Sequence, residues 1–178
     1  MKQLLLVVMF FTFIFPVSGQ GVFTNSTTAT IETVIQDVST GYANIKGDLI
    51  SKTGTQSEYK SKVQLPGALS SIVIQNKWIG KDVLSWRAIL YSGNNFAEAS
   101  EKFRETFKDL NNTIVKSGSE KPYILSGNFE EPALSQSTNL ILMLLPAKGD
   151  LQNVRVELSL QNKQGWIVML RVFDKRYK

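Results

Sequence analysis

Residues 154–173, VRVELSLQNKQGWIVMLRVF, are the part of the chain from which an architecture follows most directly. Val154, Val156, Leu158 and Leu160 alternate with Arg155, Glu157 and Ser159, and Trp166, Val168, Leu170 and Val172 then repeat the alternation. Successive side chains of an extended backbone leave on opposite faces, so each half reads as a strand with one buried and one wet face. Asn162-Lys-Gln-Gly165 between them carries turn chemistry, which makes the pair an antiparallel hairpin.

Two more strands are expected upstream, over 123–129 and 139–145. Before them the period lengthens. Phe96, Ala99, Phe103, Phe107, Leu110 and Ile114 recur at helical spacing, with Glu98 and Lys102 paired at i,i+4 on the polar side. Asn95 stands three residues before Glu98, a capping-box-like start. The three phenylalanines on this stripe are expected to pack on a sheet.

Toward the N-terminus, Tyr59, Ser61, Val63 and Leu65 alternate with Lys60, Lys62 and Gln64, and Pro66-Gly67 then turns the chain. A short run over 71–75, a turn at 77–82 around Gly80 and a strand over 83–91 complete an expected three-stranded meander. Ahead of it, Ile31, Val34, Ile35, Val38, Tyr42 and Ile45 form a helical stripe ended by Lys46-Gly47, within which Gly41 marks either a close packing contact or an early stop. The order is helix, three strands, helix, four strands. Two helices packed on one face of a mainly antiparallel sheet, an α+β class, is the simplest way to bury these faces, with a pseudo-repeat of roughly 65–70 residues suggested by the helix starts at Ile31 and Phe96.

Residues 1–20, MKQLLLVVMFFTFIFPVSGQ, place Lys2 before an apolar stretch from Leu4 to Phe15, and Pro16 before small residues. That is the pattern of a secretory signal peptide over 1–19, with Val17 and Gly19 at the small-residue positions and Gln20 as first mature residue. Twelve helical residues reach roughly 18 Å, short of a hydrocarbon core about 30 Å thick. Residues 20–28 are polar and aperiodic and are expected to be a flexible leader, with one domain over 29–178. The implied location is exported, periplasmic or secreted.

The chain has no histidine and no cysteine. Disulfides are therefore unavailable, as are the side chains most used for neutral-pH proton transfer, thiol nucleophiles and transition-metal binding. No cofactor is expected. The formal net charge of +5 becomes +4 without Lys2, with base concentrated only at the end, over 171–178. A solvated strand end is the ordinary explanation, and a preference for anionic polymers or headgroups the sharper one. Aromatic residues do not interleave with basic ones as a nucleic-acid stacking platform requires, so nucleic acid is not an expected partner.

Fragments suggestive of chemistry each have a plainer explanation. Lys52-Thr53-Gly54 and Ser57-Glu-Tyr-Lys60 match the K-T-G and S-x-x-K elements of penicillin-binding serine enzymes, but in reverse order, close together and without S-D-N. Glu98, Glu101 and Glu105 are interleaved with Lys102, Arg104 and Lys108, as on a solvated helix face, and Glu130-Glu131-Pro132 sits in a turn. No D-x-D-x-D-G calcium loop occurs. Asn25-Ser-Thr and Asn111-Asn-Thr match the glycosylation pattern, but the short leader of bacterial type argues against their use.

Trp78 is the aromatic hardest to place. It lies between Lys77 and Lys81 in a turn, where folding back into the core is the ordinary outcome and a partner-binding contact the alternative. Trp86 and Trp166 fall within alternating strands and are expected in the core. The function expected is a non-catalytic binding module for an envelope protein, peptide or polymer, acting through a sheet face or through Lys77, Trp78 and Lys81. The alternatives are a carrier with a cavity between helices and sheet, and a hydrolase using carboxylates or a Ser/Lys pair.

Overall fold

The computed structural model describes residues 26–116 and 121–177. Nine strands form one antiparallel sheet: β1 (Lys46–Thr53), β2 (Gln56–Ser61), β3 (Ser70–Trp78), β4 (Lys81–Gly93), β5 (Ile114–Val115), β6 (Tyr123–Ser126), β7 (Thr138–Leu145), β8 (Val154–Asn162) and β9 (Trp166–Asp174). Their spatial order is β1-β2-β3-β4-β9-β8-β7-β6-β5. Helix α1 (Ser26–Gln36) precedes the first meander and α2 (Phe96–Leu110) the second. The α+β class holds, with a mainly antiparallel sheet and two helices. The element order differs from expectation by two added strands, β1 and β5, giving four strands after α1 and five after α2.

Both missed strands are edges. Six consecutive residues of β1, from Asp48 to Thr53, are exposed, and Leu49 and Ile50 stand side by side, so no alternation marks the strand. Its pairing with β2 also shifts register twice. Bulges and charges on an edge strand discourage a second chain from adding to it. The two-residue β5 takes Ile114 out of the expected α2 stripe and leaves it exposed.

The first helix is shorter at its C-terminus and longer at its N-terminus than expected. Ser26 to Thr28, expected in a flexible leader, form its first turn, and residues 20–25 with the signal pattern lie outside the described residues. It ends at Gln36, passes through a 3-10 turn over Asp37–Thr40 and stops at Gly41, whose φ of 66° is left-handed. The early stop was the second of the two meanings open to Gly41. Tyr42 follows at φ 61°, a costly value for a side chain with a Cβ. Burial of its ring and a hydrogen bond from its hydroxyl to the Val172 carbonyl, at 2.7 Å, hold it there.

One hydrophobic core lies between helices and sheet. Helix α2 crosses β4, β8 and β9, and α1 packs against α2 and β5. Phe103 is fully buried and Phe107 nearly so, while Phe96 tilts against Trp166 with ring centroids 4.8 Å apart. Trp86 is buried and donates from Nε1 to Ser61 Oγ at 3.0 Å, and Ser61 in turn bonds the Val63 carbonyl, ending β2 earlier than its sequence alternation suggests. Filling each such position contributes about 1.5–3 kcal/mol. Trp86, Leu110, Leu158 and Leu170 are among the buried residues of this core.

Candidate functional site

The β3–β4 hairpin is paired from Ser70↔Ile89 to its last rung, Trp78↔Lys81, leaving only Ile79 and Gly80 to turn the chain. Gly80 takes φ 75°, the left-handed value required of the second central residue in a type II turn. An apolar Ile at the first central position has no strand face on which to bury, and Ile79 is fully exposed.

Pairing on either side stops before the hairpin does. Strand β2 meets β3 as far as Asn76, with one further bond from the Lys77 N–H to the Thr55 carbonyl at 2.9 Å, and β9 meets β4 from Ser85 onward. The apex therefore projects past both neighbouring strands. Burial along β3 falls from Val73 and Ile74, in the core or near it, to Lys77 and Trp78, both exposed. Trp78 is 72 % exposed. Core packing, the ordinary outcome for this residue, is thereby corrected: the strands that would have covered its ring end short of it. Trp86 and Trp166 are buried as their alternation implies.

Lys77, Trp78 and Lys81 are thus brought to one projecting end, with Ile79 between them. Lys77 lies opposite Asp82, whose carboxylate accepts from Gln75 Nε2 at 2.6 Å and ties the two strands just below the apex. The β1–β2 turn beside it is Gly54-Thr55, and Lys52 stands one residue before the end of β1. Sequence reading singled out Trp78 but not Ile79, although two adjacent apolar residues in a turn between lysines is itself a signal, since only one of them can follow a strand face.

The sheet face, the other surface expected to bind, also carries exposed apolar residues that the sequence alone does not single out. On the sheet face away from the helices, Ile114, Ile124 and Leu145 are directly opposed across β5, β6 and β7, with Met143 and Ile141 in the adjoining rows, and all five are substantially exposed. Toward the middle of the sheet this face becomes charged. Arg171 bonds Glu157 at 3.5 Å and lies 4.4 Å over the Phe173 ring, and Arg87 bonds Glu58 at 3.3 Å.

Of the acidic groups weighed for catalysis, Glu98, Glu101 and Glu131 are engaged in contacts within the fold. Arg104 bridges Glu101 and Glu131, tying α2 to the loop before β7, where Phe129 packs 5.1 Å from Phe107. Glu98 accepts from Asn95 Nδ2 at 2.9 Å and from the Tyr91 hydroxyl at 3.1 Å, completing the α2 cap. Lys52 and Ser57 face each other across the β1–β2 ladder, not from a helix start and a distant strand as the serine-enzyme arrangement needs. Asn111 Oδ1 accepts from the Gly127 N–H at 3.2 Å.

The basic C-terminus is partly compensated within the fold. Arg176 Nε donates to both Asp174 oxygens, at 3.1 and 2.9 Å. Burial works to raise the Asp174 pKa, but the hydrogen bonds and charge of Arg176, with the charge of Arg155, outweigh it and hold the carboxyl below its ordinary range. Asp174 lines a recess with Val38, Ser39, Leu151 and Asn153.

Among the described residues no three acidic side chains gather as a metal site requires, and no helix is long and apolar enough to cross a membrane. No protein-family model, curated protein or solved structure matches this chain.

Proposed function

We propose that this chain is an exported, non-catalytic binding module that engages a component of the cell envelope or the secreted fraction through the β3–β4 hairpin apex. The observation that carries the reading is the exposure of a Trp and an Ile, side by side and flanked by lysines, on a two-residue turn that projects past its neighbours. An exposed Trp forgoes the burial that would stabilise the fold, and Trp is enriched where partners bind. Export rests on the signal-like pattern of residues 1–19.

Replacing Trp78 with Ala tests it. Stability should change by no more than about 0.5 kcal/mol, as for an exposed side chain, while capture of envelope components by the immobilised protein falls. Unchanged capture by a fully folded variant would refute the proposed role of the apex. The apolar rows of Ile114, Ile124 and Leu145 support a second surface on the open sheet face. If that surface is the one used, Ile124→Ser reduces capture and Trp78→Ala does not.

The arrangement of α1 and α2, beginning about 70 residues apart and each followed by an antiparallel meander, supports reading the two halves as a pseudo-repeat.

A further inference from the structure

We infer that the partner of the hairpin apex is an anionic lipid surface, with Trp78 and Ile79 entering the headgroup region and the lysines around them meeting lipid phosphates. This rests on the apex being the interaction element proposed above and gives that element a ligand. Shape and charge both favour a lipid surface over a folded protein.

The shape is a narrow projection. Ile79 is fully exposed and Trp78 largely so, at the end of a hairpin with no strand beside it beyond Asn76 on one flank and Ser85 on the other. A projection of two apolar side chains offers little flat area to a protein surface. A bilayer interface can close around it from all sides. Trp suits that depth, because its ring is apolar while its N–H still finds headgroup or water partners.

The charge is one-sided. Lys77 and Lys81 bracket the apolar pair, and Lys52 stands near the end of β1, just before the neighbouring turn, against Asp82, which already accepts a hydrogen bond from Gln75. Lysines can extend their ammonium groups to phosphates while their methylene stems lie along the apolar boundary. The whole chain is basic as well, with a sequence pI of about 9.4.

The remaining tryptophans make the test specific. Trp86 and Trp166 are buried, and residues 1–25 contain no tryptophan, so contact between bilayer and indole reports on Trp78 even if the apolar N-terminus adheres to vesicles. The full chain is mixed with vesicles of phosphatidylglycerol and phosphatidylcholine in equal parts, with vesicles of phosphatidylcholine alone, and with matching vesicles whose acyl chains are brominated. With phosphatidylglycerol present, tryptophan emission should shift to the blue and be quenched by bromine. Phosphatidylcholine alone should give neither change.

Ile79→Ser should weaken this Trp78 signal about tenfold in lipid concentration, and Lys77→Gln about fivefold at low salt. High salt should abolish most of the lysine effect. Absence of bromine quenching with anionic vesicles overturns the lipid assignment. If lipid-free envelope proteins are then retained in a Trp78-dependent way, the apex is a protein-binding element and only the lipid assignment fails. If neither vesicles nor proteins depend on Trp78, the proposed role of the apex fails with it.

Discussion

Asp37 shows how a single side chain sets the path of the chain between α1 and the sheet. Its carboxylate is buried and accepts from Thr40 Oγ1 at 2.6 Å, from Asn44 Nδ2 at 2.5 Å, and from the backbone N–H groups of Asn44 and Ile45 at 3.2 and 3.1 Å. Its own carbonyl accepts from the Tyr42 N–H at 2.9 Å, which helps keep Tyr42 in its left-handed conformation. Asp37→Ala should lose about 2–3 kcal/mol, because buried donors are left without an acceptor, and urea unfolding measures the change. Tyr42 makes a separate prediction. Burial raises its pKa far above the ordinary phenol value, so the neutral hydroxyl belongs to the folded state. The resulting stability is fully present below the unfolded tyrosine pKa of about 10 and is lost as pH rises beyond it. Tyr42→Phe should cost about 1 kcal/mol at neutral pH and flatten the fall in melting temperature above about pH 10. Neither role was legible beforehand: the sequence stripe includes Tyr42 as one apolar position among six, and Asp37 carries no local motif.

At the scale of elements, legibility followed the regularity of the burial pattern. Helix α2 was readable from its start to Leu110, since one face meets the sheet and the other meets water for its whole length, although the expected stripe ran on to Ile114, which belongs to β5. Its cap has the expected form, with Asn95 Oδ1 accepting from the N–H groups of Ala97 at 3.0 Å and Glu98 at 3.4 Å. Asn95→Ala should therefore cost about 1 kcal/mol, read as a lower denaturant midpoint with an unchanged slope. Strands β7, β8 and β9 were equally clear, each with one face on the core. Strand β1 was not, because a largely exposed edge needs no alternation. The first helix was overextended because its stripe continues past Gln36 while the backbone does not. Val38, Tyr42 and Ile45 still reach the core, but from a 3-10 turn, a left-handed residue and a loop.

Over the whole molecule, the decisive contact joins the last strand of each half. Strand β4 pairs with β9 at the middle of the sheet, matching Trp86 with Val172 and Ala88 with Leu170, and α2 covers both strands. The first half alone would lack β9 and the helix above it, exposing Trp86, Ala88 and Leu90. A fragment spanning residues 26–93 is expected to show no cooperative thermal transition by circular dichroism, in contrast to the complete chain. An independently cooperative fragment would show that its core does not require the second half.

Class, most strands and the second helix could be read from local periodicity, because side-chain direction along a strand or helix follows from backbone geometry that a few neighbouring residues express. Strand order, the two edge strands and the position of Trp78 could not. The same Lys-Trp-Ile-Gly-Lys turn is compatible with a ring folded into the core or left outside it, and the outcome depends on how far the distant strands beside it extend. Here β2 and β9 end first, and the tryptophan is left at the surface.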